Sequence, residues 1–353
     1  VRDMKPGSKK TIVFLRRYVL PSLTGLLFLY LLWRSVDVAE SLRTFSGIHV
    51  GAACAAAGLY IVQYFFLAVR WRLLNRGRVG IGSCYAITAT HNMTNNVLPF
   101  RTGELAYPYL LKRHFDIGLG DSTATLFYAR IFDLAAMALF FFGSLAFVGK
   151  DVLETVAASK DEILRFTLLV VLVGGVLLGV YVLLDRWANN ADGGEHEGLR
   201  GKIRGAFRSL TRGLQRVEIV SISIRMFLYS MAIFLARYAF FMYALRAFGI
   251  DLLFGEAVAA STLAILGAIF PLQGVGGYGT IETGWVLGLV LIGVEPTRAL
   301  MAGFGVHTFR LVLSILLAAG TYPILPRPTL PRAGRKRREG ENDGGDDISA
   351  TSS

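Results

Sequence analysis

The sequence predicts an all-α, polytopic membrane protein, and three observations carry that expectation. Apolar residues make up 54% of the chain, and mean hydropathy is +0.51. Charged residues make up 18%, against about 25% in an average soluble domain. Those charges are crowded into a few segments between long apolar runs, as expected where lipid is the solvent.

Six apolar segments reach the roughly 20 helical residues that cross a bilayer. They run at about 12–33, 48–69, 119–148, 163–184, 220–247 and 299–322. Basic residues orient them, because Lys and Arg are retained on the cytoplasmic side. Arg2, Lys5, Lys9, Lys10, Arg16 and Arg17 hold the N-terminus inside, and the first apolar run reads as an uncleaved signal anchor. The connection 34–47 balances Arg34 and Arg43 against Asp37 and Glu40, and it suits the outside. Arg70, Arg72, Arg76 and Arg78 are expected to mark the return to the cytoplasm. The acidic 150–162 connection suits the outside, while the Arg-rich 185–219 loop and the tail from Arg327 suit the inside.

Two further apolar regions, 81–114 and 255–297, begin and end on one side by the same charge logic. Pro99, Gly103 and Pro108 interrupt the first; Pro271, Gly274, Gly276, Gly277 and Gly279 interrupt the second. Each reads as a re-entrant helical hairpin, since freed backbone groups must line protein or water rather than lipid. The order becomes span, span, re-entrant, span, and then the same again from the opposite face. This is an inverted-topology repeat, whose broken segments mark a binding site. Residues 1–148 form the first membrane repeat and 149–326 the second. Residues 327–353 form a cytoplasmic tail expected to be disordered. The plainer alternative is eight or more ordinary spans.

The net charge of +12 does not point to nucleic acid, because the basic residues flank apolar spans and suit anionic headgroups. Cys54 and Cys84 read as small packing residues, and no spacing suggests a metal or other cofactor.

Ionisable residues inside the bilayer carry the chemistry, since each needs a partner or a wet cavity. Around the first break, Asn92, Asn95 and Asn96 precede Arg101 and Glu104. Arg101 and Glu104 stand at i, i+3, and they form either a headgroup contact or a salt bridge closing the turn. Arg130 and Asp133 have the same spacing in the third span; a buried pair explains Asp133 and leaves Arg130 with donors to spare. In FPLQGVGGYGTIETGW, the glycines Gly276, Gly277 and Gly279 lead into a helix at about Thr280, an anion-binding arrangement. Glu282 in its first turn is either a cap or a functional carboxylate. No Gly-Lys-Ser/Thr ending follows, so nucleotide hydrolysis is not expected. Arg237 and Arg310 lie mid-span with no acid nearby in sequence, and each must pair across helices or face a cavity. His307 reads as a hydrogen-bonded interior histidine. The arginines outnumber the acids, so a buried anion such as a lipid phosphate is the natural ligand.

The segments LPFRTGE, ARIFD and FPLQGVGGYGTIE, followed by a late Arg in the last span, resemble the flippase-like transmembrane domain of the lysylphosphatidylglycerol synthases. The resemblance covers roughly residues 10–325. It implies a lipid translocator of the cytoplasmic membrane, matched at Arg101, Glu104, Arg130, Asp133, Gly276, Gly277, Gly279, Glu282 and Arg310. It also implies that aminoacyl transfer, the work of a separate soluble domain in two-domain relatives, is not expected of a chain ending after its last span. Ala106, Tyr107 and Pro108 stand where the family often continues with an arginine, which bears on the identity of the lipid. The expected partner is a lipid with an anionic or polyprenyl-phosphate headgroup, together with a lipid-modifying enzyme. The competing readings are a membrane-embedded enzyme of lipid or glycan chemistry and a non-catalytic scaffold for one.

Overall fold

The computed structural model describes residues 47–98, 103–145, 218–269 and 275–328. The expected spans at 12–33 and 163–184, the loop that follows the latter, and Pro99, Arg101, Pro271 and Gly274 lie outside the described residues. So does nearly all of the tail. Every described element is helical, and four helices are long and apolar enough to cross a membrane. The chain is thus an all-α, multi-pass membrane protein. The long helices are α1 (Val50–Leu74), α4 (Leu119–Ser144), α5 (Glu218–Ala247) and α8 (Pro296–Thr321). Between them stand two pairs of shorter helices: α2 (Ile81–Val97) with α3 (Ala106–Phe115), and α6 (Phe254–Ile269) with α7 (Thr280–Leu291).

Local sequence explains where these helices stop. In α5 the last turn closes with Ile250 N–H on the Leu245 carbonyl and Gly249 N–H on the Arg246 carbonyl, with Gly249 at φ +80°. That left-handed residue is what a helix needs to satisfy its last carbonyls and turn away. Helix α1 ends by the same pattern on Arg76 and Gly77. Consequently α1 runs five residues beyond the expected end at 69, and Arg70 and Arg72 belong to the helix rather than to a loop. Hydropathy falls at the first arginine, but the helix ends only where the backbone can turn. Helix α8 starts three residues earlier than expected, at Pro296, where Glu295 accepts the N–H groups of Thr297 and Arg298 at 2.9 and 2.8 Å.

Glycines bring α6 and α7 into an antiparallel hairpin. A Cβ on Gly267 would meet Thr280, one on Gly284 would meet Leu263 and Ala264, and one on Gly288 would meet Ala260. The partners run in opposite order along the two helices. Gly284 and Gly288 form the small-xxx-small face that lets membrane helices approach backbone to backbone.

The described helices pack around an aromatic and aliphatic core that includes Tyr60, Tyr64, Phe240, Phe241, Trp285, Leu289 and Val306. The most extensive contact joins α1 to α5, the helices that open the two sets. Around that contact the packing repeats. Helix α1 packs on α2 as α5 packs on α6, α3 on α4 as α7 on α8, and α2 on α8 as α6 on α4.

Candidate functional site

Where the two sets meet, the helices enclose a cavity of about 620 Å³, within the usual range of roughly 300–1,000 Å³ for small-ligand sites. Helix α1 supplies Tyr60, Gln63 and Tyr64, and α2 supplies Asn92, Asn95 and Asn96. The turn before α3 adds Glu104 and Leu105, α4 adds Arg130 and Asp133, α5 adds Arg237, and α8 adds Arg310. Gly277, Ile265 and Ile281 close the side toward the second hairpin.

The charges divide into two groups. On the α4 side, Arg130 Nη2 donates to Glu104 Oε1 at 2.7 Å, and its Nη1 lies 3.7 Å from Asp133 Oδ2. Asp133 is held more closely by Arg70, which bonds Oδ1 directly and reaches Oδ2 at 3.3 Å. Arg70 Nη1 also donates to Ser230 at 2.8 Å, so one guanidinium ties α1, α4 and α5 together. That side chain is 2% exposed. Arg70 lies within the helix rather than past its end, where its place in a basic run suggested. It neutralises Asp133 from behind the cavity wall and leaves Arg130 for Glu104. The expected local pair of Arg130 and Asp133 exists only as the longer contact.

On the α5 and α8 side, Arg237 and Arg310 have no carboxylate within ion-pairing distance among the described residues. The Gln63 amide oxygen, turned toward Arg237, accepts from Nε at 3.1 Å and Nη2 at 3.2 Å. Phe234 lies under the same guanidinium at 4.6 Å, a cation–π contact that holds its plane. Neutral groups therefore orient Arg237 without cancelling its charge. Arg310 has no hydrogen-bonding partner among the described residues and faces the cavity.

Behind Gly277 lies a second, fully buried pair. His307 Nδ1 is bonded to Glu282 Oε1, and both side chains are 0% exposed. The other carboxylate oxygen, Oε2, accepts Gly279 N–H at 2.7 Å. Glu282 thus caps α7 and grips α8, so the sequence alternatives of cap and working carboxylate are not exclusive. Gly276, Gly277 and Gly279 have φ of +72°, +77° and +104°, which side-chain-bearing residues rarely adopt. At Gly277 a Cβ would also collide with Ile281 at 2.8 Å.

Of the residues expected at the site, Glu104, Arg130, Asp133, Arg237, Gly277 and Arg310 share the cavity wall. Gly276, Gly279 and Glu282 stand behind it and shape the hairpin tip. Arg101 lies outside the described residues. The sequence reading passed over Gln63 and Arg70. Gln63 carried a signal, a lone amide in an apolar run with Tyr60 and Tyr64 on the same helical face. Arg70 carried none, because its partners are 63 and 160 residues away. Among the described residues no group of His, Cys, Asp and Glu side chains converges as a metal site.

The family model described as Lysylphosphatidylglycerol synthase TM region matches residues 18–318, nearly the whole chain and every residue of the cavity. No curated protein and no solved structure matches it.

Proposed function

We propose that this chain, which belongs to the lysylphosphatidylglycerol synthase transmembrane-region family, carries an anionic or polyprenyl-phosphate-type lipid across the cytoplasmic membrane. One observation carries the reading: Arg237 and Arg310, from different helices, face one cavity, and among the described residues no carboxylate is in ion-pairing contact with either. Two half-buried guanidinium groups in one cavity are costly unless an anion joins them. A phosphate oxygen meets each with charge-assisted hydrogen bonds worth about 1.5–3 kcal/mol apiece. The Glu104–Arg130–Asp133–Arg70 chain pairs two acids with two arginines and serves as the fixed wall against which the headgroup seats. Acyl or prenyl chains remain in the bilayer.

The repeated helix contacts support an inverted repeat in which the α2/α3 and α6/α7 pairs act as re-entrant hairpins entered from opposite faces. In this reading both termini are cytoplasmic, and a lipid-modifying enzyme is the protein's partner there. The test is reconstitution in liposomes containing labelled phosphatidylglycerol, with leaflet exchange read by quenching of outer-leaflet label. The wild-type protein moves the lipid. Arg237→Ala and Arg310→Ala each lose at least about tenfold of the rate while eluting as folded protein. Wild-type rates in both variants remove the arginines from the site; no movement of any anionic lipid by the wild type removes the function.

A further inference from the structure

We propose that the Glu282–His307 pair is a proton-binding site that loads one proton with each anionic headgroup, so that lipid movement is proton-coupled. This rests on the lipid-carrier reading and adds its energy source.

The geometry is that of a loaded imidazole. Both Glu282 oxygens are acceptors, one for the Gly279 N–H and one for His307 Nδ1, so the Nδ1 nitrogen carries the hydrogen. Nε2 then holds a free lone pair. It is buried and makes no hydrogen bond of good geometry among the described residues, with the Gly276 backbone close to the ring. An unmet polar atom in an otherwise complete polar pair calls for an explanation. Gly277 separates it from the cavity: a Cβ there would lie 3.6 Å from Nε2, and Gly277 itself lines the cavity. A second pocket of about 10 Å³ is bounded by His307 and Arg310, the size of about one water. It shares Phe241, Ile265, Ile281 and Arg310 with the main cavity. A proton therefore has a short route from cavity water to Nε2.

Charge balance supplies the coupling. With neutral imidazole the pair carries −1 and offsets the nearby Arg310. A proton on the Nε2 lone pair brings the pair to zero and frees the field of Arg310 for a phosphate. The phosphate in turn favours the proton, and the two affinities must shift by the same factor. Among the described residues, charged and titratable groups face the histidine from several elements. Glu282 comes from α7, Tyr278 from the hairpin tip, and Arg310 from α8; Arg237 on α5 and Tyr60 on α1 lie across the cavity. From α2 the titratable group is His91, bonded to the Gly103 carbonyl. Release on the far side returns the proton to water, with no covalent bond made or broken.

The experiment uses the full chain in liposomes with labelled phosphatidylglycerol, a monoanion, under separately imposed pH gradients and potassium-diffusion potentials. Movement of a monoanion with one proton is electroneutral. The wild-type steady-state lipid distribution then shifts by about tenfold per unit of pH gradient and does not respond to potential. His307→Gln, which keeps a donor toward Glu282 but cannot take the proton, loses the pH response, and any remaining movement becomes sensitive to potential. Glu282→Gln, which keeps an acceptor for Gly279, does the same and stands in if the first variant does not fold. A merely structural pair predicts slower movement with an unchanged pH response, and that result overturns the proposal. So does wild-type movement that follows potential and ignores pH. A wild type that moves no anionic lipid at all strikes the carrier reading itself, and the coupling with it.

Discussion

Removing Asp133 is expected to damage the protein more than removing its partner Arg70, and the asymmetry can be worked from the structure. Arg70 is 1% exposed, and its charged end is met by Asp133 and Ser230. In Asp133→Asn the guanidinium keeps only neutral partners in an apolar wall. Breaking a buried ion pair this way costs about 3–5 kcal/mol. In Arg70→Met the stem volume is retained, and Asp133 keeps Arg130 at 3.7 Å and an edge on the cavity, its side chain 13% exposed. The remaining cost is that of a partly met polar group, about 1–3 kcal/mol. The double variant Arg70→Met with Asp133→Leu removes both charges and recovers most of the loss, because a matched apolar pair carries no desolvation cost. The assay is reversible unfolding in mixed micelles, with Asp133→Leu also measured alone to close the double-mutant cycle. If Arg70→Met proves as destabilising as Asp133→Asn, or if the double variant is additive, the view of Asp133 as the anchor of a buried arginine is refuted.

Gly288→Ala drives a methyl against the Ala260 carbonyl and to 2.8 Å from Ala260 Cα, so the α6/α7 hairpin opens and thermal stability in detergent falls by about 1–3 kcal/mol or more. Gly58→Ala, with nothing within 4 Å, is the neutral control. Gln63→Glu places an acid against Arg237 and cancels a charge the headgroup needs, so binding of short-chain phosphatidylglycerol by calorimetry weakens by about tenfold or more while the fold is kept. At the start of α8, the Thr297 and Arg298 N–H groups hold the Glu295 carboxyl below its usual range. A depressed folded value contributes stability above the unfolded value, lost as pH falls through the folded one. The melting difference between wild type and Glu295→Gln is therefore present at neutral pH and closes in acid below the ordinary carboxylate range.

Much of the architecture could be read before any coordinates. The start of α4, the end of α5, the other ends of these helices and of α8 to within a few residues, and the interruptions near Gly103 and ahead of Gly276, follow from hydropathy and from the glycines and prolines that break it. These are local properties, set by which few consecutive residues tolerate lipid and which backbones can turn. His307 as a bonded interior residue was legible for the same reason, because an imidazole inside a span needs a partner wherever that partner lies. The paired acids were less legible. Asp133 has Arg130 three positions before it, yet its direct bond runs to Arg70 on another helix, and Glu104 bonds Arg130 on α4.

The sequence by itself determined the class of the protein, its solvent, and the presence of more buried arginine than nearby acid. Transfer of residues into lipid is decided segment by segment, and a linear chain records it. Only the tertiary structure decided which arginines are free. Arg70, at the edge of a basic run, is committed to Asp133 and Ser230, while Arg237 and Arg310, 73 positions apart in the chain, are left facing one cavity. Ion pairing falls off within a few ångströms, so the choice among partners belongs to helix packing, which sequence spacing does not encode.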